Sequence, residues 1–353
     1  MSQDIILTVD YHDRMCVIRR LDRATKRQQL LPEVPTTPES LNPVVDQARR
    51  DAGRRGRVVW IQESITGWAR MKQLLGQRVE FHLANVLQMP RAPKSHKRKT
   101  DKVDTARIQR EYLNGELPLA FQPSPECRQL RRVVAYRESL VNRRTALRNW
   151  INRFLAHETW YDTTGMWSAK GQRRLRSFLK TVPRTDAWVI GQKLDELARL
   201  EDQLKLAIDE LLLVYQSSSE AQRVDAIKGI GVVSAVSIVA RIGPVERFRS
   251  AEDLIGFAGL SPGVAQSNQT RRDGQIGGGG TDIHLRHYLI EATVWARDLP
   301  RYKQSYERVA KRRGPKIGRL VVARMLLRSI YKILKEGVTF DAGKTSAAQA
   351  TAG

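Results

Sequence analysis

The sequence predicts an α/β domain followed by a helical remainder, and three patterns predict it. Short apolar runs alternate with helix-forming stretches over the first 115 residues. Seven-residue apolar repeats run through 127–155 and 186–215, and a Gly-x-Gly turn separates two helical patterns near residue 230. With 353 residues and 41% hydrophobic content, the chain can build two or three domains with real cores.

Ile5-Ile-Leu-Thr-Val-Asp10 and Met15-Cys-Val-Ile-Arg-Arg20 are strand-like runs close enough to form a hairpin. Thr37-Pro38-Glu39 has the signature of a helix start, and the helix reaches Ala52-Gly53. Arg57-Val-Val-Trp-Ile-Gln-Glu63 reads as a buried strand. Ser64-Ile-Thr-Gly67 turns it into a short helix through Leu75, and Val79-Glu-Phe-His-Leu-Ala84 supplies a further strand. Pro90, Pro93 and a basic run that includes Lys97, Arg98 and Lys99 then lead to a helix capped by Thr100 and beginning at Asp101.

Asp10 and Glu63 each close a strand, and Asp101 and Asp104 share one face of the helix, with Cβ atoms roughly 5–6 Å apart. Acids so placed repel unless a cation sits between them, and hard oxygen donors suit Mg²⁺ or Mn²⁺. A lone Asp-x-x-Asp is ordinarily a surface turn complementing the helix dipole. Four acids in this order, beside a run of lysines and arginines, predict a site for two divalent ions ~3.5–4 Å apart acting on a polyanion.

A net charge of +24 and a pI near 10.5 exceed what solubility requires, so nucleic acid is the expected partner and an anionic membrane the weaker alternative. No signal peptide or long apolar run is present, which predicts a cytoplasmic protein. Cys16 and Cys127 are too far apart for a zinc site or disulfide framework and read as packing residues. His284 and His287 share a helix face without a His-Glu-x-x-His pattern.

Thr-Val-Asp10, Gln-Glu63-Ser-Ile-Thr-Gly and Lys-Thr-Asp101-Lys-Val-Asp104 resemble the DEDD tetrad of bacterial insertion-sequence transposases. That resemblance covers nearly the whole chain. It implies an RNase H-like domain, similar to the Holliday-junction resolvase RuvC, over residues 1–115, with Asp10, Glu63, Asp101 and Asp104 as Mg²⁺ ligands. The family's Gly-Ile-Asp is Thr-Val-Asp10 here, which keeps the ligand, and the basic loop from Arg91 to Lys99 is unusual.

Gly115-Glu-Leu-Pro118, Pro123 and Pro125 read as a linker opening a middle region over 116–219. Val133, Leu140, Leu147 and Phe154 recur every seven residues, as do Ile190, Leu197, Leu204 and Leu211; Leu194 and Ile208 form a second seam. These helices predict a hairpin or coiled coil. It is either a rigid spacer or a dimerisation arm whose arginines track nucleic acid, in a homodimer or homotetramer. The stretch with Trp160 and Trp167 carries no clear pattern.

Residues 220–340 form the third expected domain. Gly229 and Gly231 lie in a helix-hairpin-helix-like turn that either presents backbone N–H groups to phosphate or is only a tight packing turn. Further on, Ser267, Arg271 and Arg272 sit in a glycine-rich loop, where the residues alone do not favour Ser267 over Ser261 or Thr270. The resemblance places the family's nucleophilic serine at Ser267. Arg271 and Arg272 are candidates to neutralise a scissile phosphate or clamp the backbone. Helices are expected near 285–297 and 315–335, with Lys316, Arg319, Arg324, Arg328 and Lys332 left for solvent or phosphate. The tail over 341–353 is expected to be disordered, and its Gly343-Lys-Thr345 lacks P-loop spacing.

The resemblance implies a recombinase that joins donor and target DNA through a phosphoserine link and a free 3′-hydroxyl, with a structured guide RNA from the element choosing the target. A RuvC-like endonuclease acting by hydrolysis and a non-catalytic nucleic-acid binder are the alternatives.

Overall fold

The computed structural model describes residues 3–89, 101–159, 161–261, 263–267, 270–274 and 281–342, with the side chains of 101–104, 263–267 and 270–274 excepted. The basic run with Lys97, Arg98 and Lys99, the Gly277–Gly280 run and the last eleven residues lie outside this description. The chain divides into two compact units, 1–122 and 123–353.

In the first unit, β1 (Ile5–Tyr11) pairs antiparallel with β2 (Met15–Asp22), which carries the short strands β3 (Gln28–Leu30) and β4 (Val34–Pro35). Helix α1 (Pro38–Ala52) leads to β5 (Val58–Glu63), α2 (Trp68–Leu75), β6 (Glu80–Ala84) and α3 (Asp101–Leu113). The main strand order is β3-β2-β1-β5-β6, with β5 and β6 parallel to β1. Three antiparallel strands followed by two parallel ones are consistent with the expected RNase H-like fold.

Alternation along the strands makes the sheet two-faced. Ile5, Leu7, Val9 and Trp60 pack with Leu41, Val45, Met71 and Leu75 of α1 and α2. On the other face Ile6, Val59, Ile61 and Ala84 pack with Ile108 of α3. Because both faces are covered, Val58, Val59, Trp60 and Ile61 of β5 form a continuous buried apolar run.

In the second unit, α4 (Pro125–Glu158) starts at Ser124, whose side chain accepts from the Cys127 N–H, and α6 (Arg184–Ser217) runs back along it. Leu140, Leu147, Ile151 and Leu155 meet Ile190, Leu197, Leu200 and Leu204 in one core, so the seven-residue repeats mark the buried seam. Between them lies α5 (Ala169–Phe178), which no repeat announced.

The remaining helices are α7 (Ser219–Asp225), α8 (Val232–Ile242), α9 (Ala251–Phe257), α10 (Ile283–Ala296), α11 (Pro300–Arg313) and α12 (Pro315–Glu336). They share a core with Val134 of α4 and Leu211 of α6. The expected glycine-rich loop at 263–274 is instead a hairpin, β7 (Gly263–Ser267) with β8 (Thr270–Gly274). Val264, Ala265 and Gln266 can extend, and five residue pairs engage the backbone groups that face the partner strand, so the glycines around them do not make this stretch irregular.

Candidate active site and nucleic-acid interface

The last paired positions of β1 and β5 are Val9 and Gln62, so Asp10 and Glu63 stand side by side at the carboxyl ends of adjacent parallel strands. Strand alternation puts both on the face that α3 covers, since Thr8 and Ile61 lie two residues before them. Ligand chemistry in such sheets collects at the carboxyl ends of strands. The Asp10 side chain is 15% exposed and its Oδ2 lies 3.6 Å from His12 Nε2. The Glu63 carboxylate makes no hydrogen bond or ion pair among the described residues, while its carbonyl accepts from the Ile65 N–H.

Two contacts fix the direction of α3. Gln109 is buried and its Nε2 donates to Thr8 Oγ1 at 3.5 Å, midway along β1. Tyr112, one turn later, lies 5.7 Å from His82 between ring centroids and is acted on by the charges of Glu80, Arg57, Arg23 and Asp4, which gather at the end of the sheet opposite Asp10. Burial raises the pKa of its phenol, and the Glu80 carboxylate adds to the shift. The helix therefore runs opposite to β1, and its first turn points toward the end occupied by Asp10 and Glu63. From residue 109 back to 104 the axis climbs about 7.5 Å, while β1 advances roughly 7 Å from Thr8 to Asp10.

Asp10 and Glu63 are thus brought together, and the backbone of Asp101 and Asp104 is directed to the same end of the sheet; those two side chains lie outside the described residues. Among the described residues, no three His, Cys, Asp or Glu side chains form a metal-sized group. The donors fit a hard cation: two carboxylates on strands ~4.8 Å apart, with no thiolate among the four acids. His12 was not singled out by the sequence patterns. Its place two residues beyond a strand-ending acid is the one signal for it.

In the second unit, Ser267 ends β7 and pairs with Thr270 across the hairpin tip, while Arg271 and Arg272 follow in β8. The segment that carries them is anchored at both ends. Arg324 Nε donates to the Leu260 carbonyl at 2.6 Å, and the Asp282 N–H donates to the Phe257 carbonyl at 2.8 Å. Asp282 also caps α10 by accepting from the Leu285 N–H, and its carboxylate lies 3.7 Å from Arg241. Arg241 in turn meets Glu138 of α4, which accepts from the Tyr288 hydroxyl and lies 2.8 Å from His284. Sequence patterns missed Glu138, because its three partners lie more than 100 residues away in the chain.

The expectation that the α12 cations are left for solvent or phosphate is corrected for two of them. Arg319 bonds the Thr293 hydroxyl and Arg324 the Leu260 carbonyl, whereas Arg328 and Lys332 stay half exposed beside Glu252 and Glu336. Thr293 and Leu260 belong to segments distant in the chain, which a helical wheel does not reveal.

Gly231 caps α8 in the open, while Gly229, at φ +96°, packs against α10. A Cβ on Gly229 would sit 2.6 Å from the Ala292 carbonyl oxygen. Gly229→Ala is therefore expected to cost about 1–3 kcal/mol through backbone strain and that clash, read as a fall in unfolding midpoint. An unchanged midpoint would show that the turn is not packed in this way.

Two transposase family profiles match the chain. The DEDD-type IS110 profile, described as "Transposase", covers residues 8–158, and "Transposase IS116/IS110/IS902 family" covers 221–307. This chain carries both domains of an IS110/IS116-type transposase. Among similar proteins, "Putative transposase y4rJ" of Sinorhizobium fredii is 26% identical over 84% of this chain and 81% of its own length. "Putative transposase y4qE" of the same organism is 26% identical over 60% of this chain and 52% of its own length. "Transposase for insertion sequence element IS1111A" of Coxiella burnetii is 24% identical over 46% of each chain. The chain thus spans about half the length of the last two. The first profile encloses Asp10, Glu63, Asp101 and Asp104, and the second encloses Ser267 with helices α8, α9 and α10. Among the described residues, no helix is long and apolar enough to cross a membrane.

Proposed function

We propose that this transposase cuts and rejoins DNA, with Ser267 as nucleophile and Asp10, Glu63, Asp101 and Asp104 holding Mg²⁺ or Mn²⁺. The observation that carries the reading is the pair of strand-end carboxylates, Asp10 and Glu63, beside the helix whose first turn supplies two more acids. Metal held there supplies Lewis-acid stabilisation of charge on phosphoryl and leaving oxygens. The Ser267 hydroxyl attacks the scissile phosphorus, its proton passes to a base, and the leaving 3′-oxygen takes up a proton. The products are a phosphoserine link and a free 3′-hydroxyl. Arg271 and Arg272 neutralise the phosphate, and the net charge of +24 accommodates donor DNA, target DNA and a structured guide RNA. Gly229 and Gly231 contribute a helix-hairpin-helix phosphate contact, and the α4/α6 pair serves oligomerisation.

Metal dependence tests the acidic half of this reading. Strand cleavage of DNA carrying the element's ends is expected to stop on chelation and to return with Mg²⁺ or Mn²⁺. Asp10→Asn should lower it by roughly a hundredfold or more, since the metal contributes several kcal/mol to the transition state. Cleavage undiminished in Asp10→Asn would remove the acids from the chemistry.

A further inference from the structure

The far end of the α4/α6 pair carries a surface that the chemistry above does not use. Ser168 caps α5 by accepting from the Gly171 N–H, and Leu175 packs in the same core as Leu155, Met166 and Ile190. A Cβ on Gly171 would sit 2.6 Å from Met166 Cα, so the absence of a side chain lets the helix lie directly on the preceding turn. Arg174 bends back over the preceding turn while staying about half exposed. Its Nε donates to the Tyr161 hydroxyl at 3.1 Å, and its Nη2 donates to the carbonyls of Asp162 and Thr164 at 2.9 Å. α5 is therefore a fixed platform with a defined outer side.

That outer side holds Lys170, Arg173 and Arg176, with Lys180 in the turn that follows, all exposed. Among the described residues, none of their charged side-chain groups makes a hydrogen bond or ion pair. The span 169–184 contains six cations and no acid. Elsewhere on this unit three helix lysines lie against an acid one turn away, in Lys193–Glu196, Lys303–Glu307 and Lys332–Glu336. The one nearby acid with a partner, Asp162, lies against Arg174. Unmatched like charges on one rigid helix repel, and a polyanion laid across them removes that repulsion.

We propose that α5 is a separate DNA-binding element that grips the phosphate backbone of duplex DNA without reading its bases. From Lys170 to Lys180 the cations extend over about 15 Å, which matches four to five nucleotides of one strand at ~3.4 Å each. Exposed lysines and arginines of this kind fix position and carry no sequence information. The inference rests on the reading that the substrate is DNA.

The test replaces Lys170, Arg173, Arg176 and Lys180 together by Gln in the full chain. Affinity for a duplex of unrelated sequence is followed by fluorescence anisotropy between 50 and 200 mM salt. Each lost phosphate contact makes the slope of log affinity against log salt shallower by about 0.9, so a change of roughly 2 to 4 is expected. Exchanging lysine for arginine and arginine for lysine at the four positions should restore the wild-type slope. If the fourfold variant fails to fold by circular dichroism, Lys170→Gln with Arg173→Gln, and Arg176→Gln with Lys180→Gln, are each expected to lower the slope by about 1.8. A slope equal to wild type, or one altered only on single-stranded RNA, overturns the proposal. Wild type that cuts DNA while the variants keep its slope sinks this proposal alone; wild type that binds no duplex sinks the DNA reading with it.

Discussion

Ser267→Ala is expected to abolish any covalent adduct between protein and DNA and to reduce joining by on the order of 10³ or more, because removing a nucleophile removes the bond-forming step itself. A serine hydroxyl is a weak nucleophile near neutral pH and needs a base or metal in reach, so its position has to be held. The hairpin satisfies the second need: Ser267 ends a strand paired with Thr270, and the segment is pinned through Leu260 and Asp282. Denaturing electrophoresis of end-labelled DNA reads the adduct. Ser261→Ala, at the near end of the segment, should leave it in place. A hydrolytic nuclease gives the opposite pattern, with no adduct from wild type and undiminished cutting by Ser267→Ala.

Glu138→Ala is expected to destabilise the second unit by about 3–5 kcal/mol, the cost of breaking a buried ion pair from one side. The Glu138 and Arg241 side chains are only 14% and 16% exposed, so solvent does little to replace the lost partner. The Tyr288 hydroxyl loses its acceptor in the same change. Burial already raises the pKa of that phenol. His284 is about half exposed and adds little. Urea unfolding measures the loss, and Arg241→Met in the same chain is expected to recover part of it, because no guanidinium is then left buried without its carboxylate. A cost under about 1 kcal/mol would mean that Arg241 is held by Asp282 alone.

Much of the first unit was readable because its signals are local. The apolar run before Asp10 and the one before Glu63 are long enough to specify strands, and a strand that ends in an acid places that acid at the sheet's rim. The seams of α4 and α6 were readable for the same reason: burial of one helix face imposes the seven-residue spacing of Leu140 and Leu147, and of Ile190, Leu197 and Leu204. Short strands such as Gln28–Leu30 escaped, since three residues carry no period. So did α5, whose polar composition hides an apolar edge of Leu175 and Phe178, and the hairpin around Ser267, whose flanking glycines mimic a loop.

By itself the sequence determined which residue types are present and how they are spaced: strand-ending acids, an Asp-x-x-Asp turn, helical seams and a large excess of cations. Only the tertiary structure decided which of these meet. Pairing of β1 with β5 set Asp10 beside Glu63, and the long-range bonds of Arg319 and Arg324 consumed cations that the pattern had left free. The reason is physical: spacing fixes which side of an element a residue occupies, whereas the partner of a charge is fixed by packing between segments far apart in the chain.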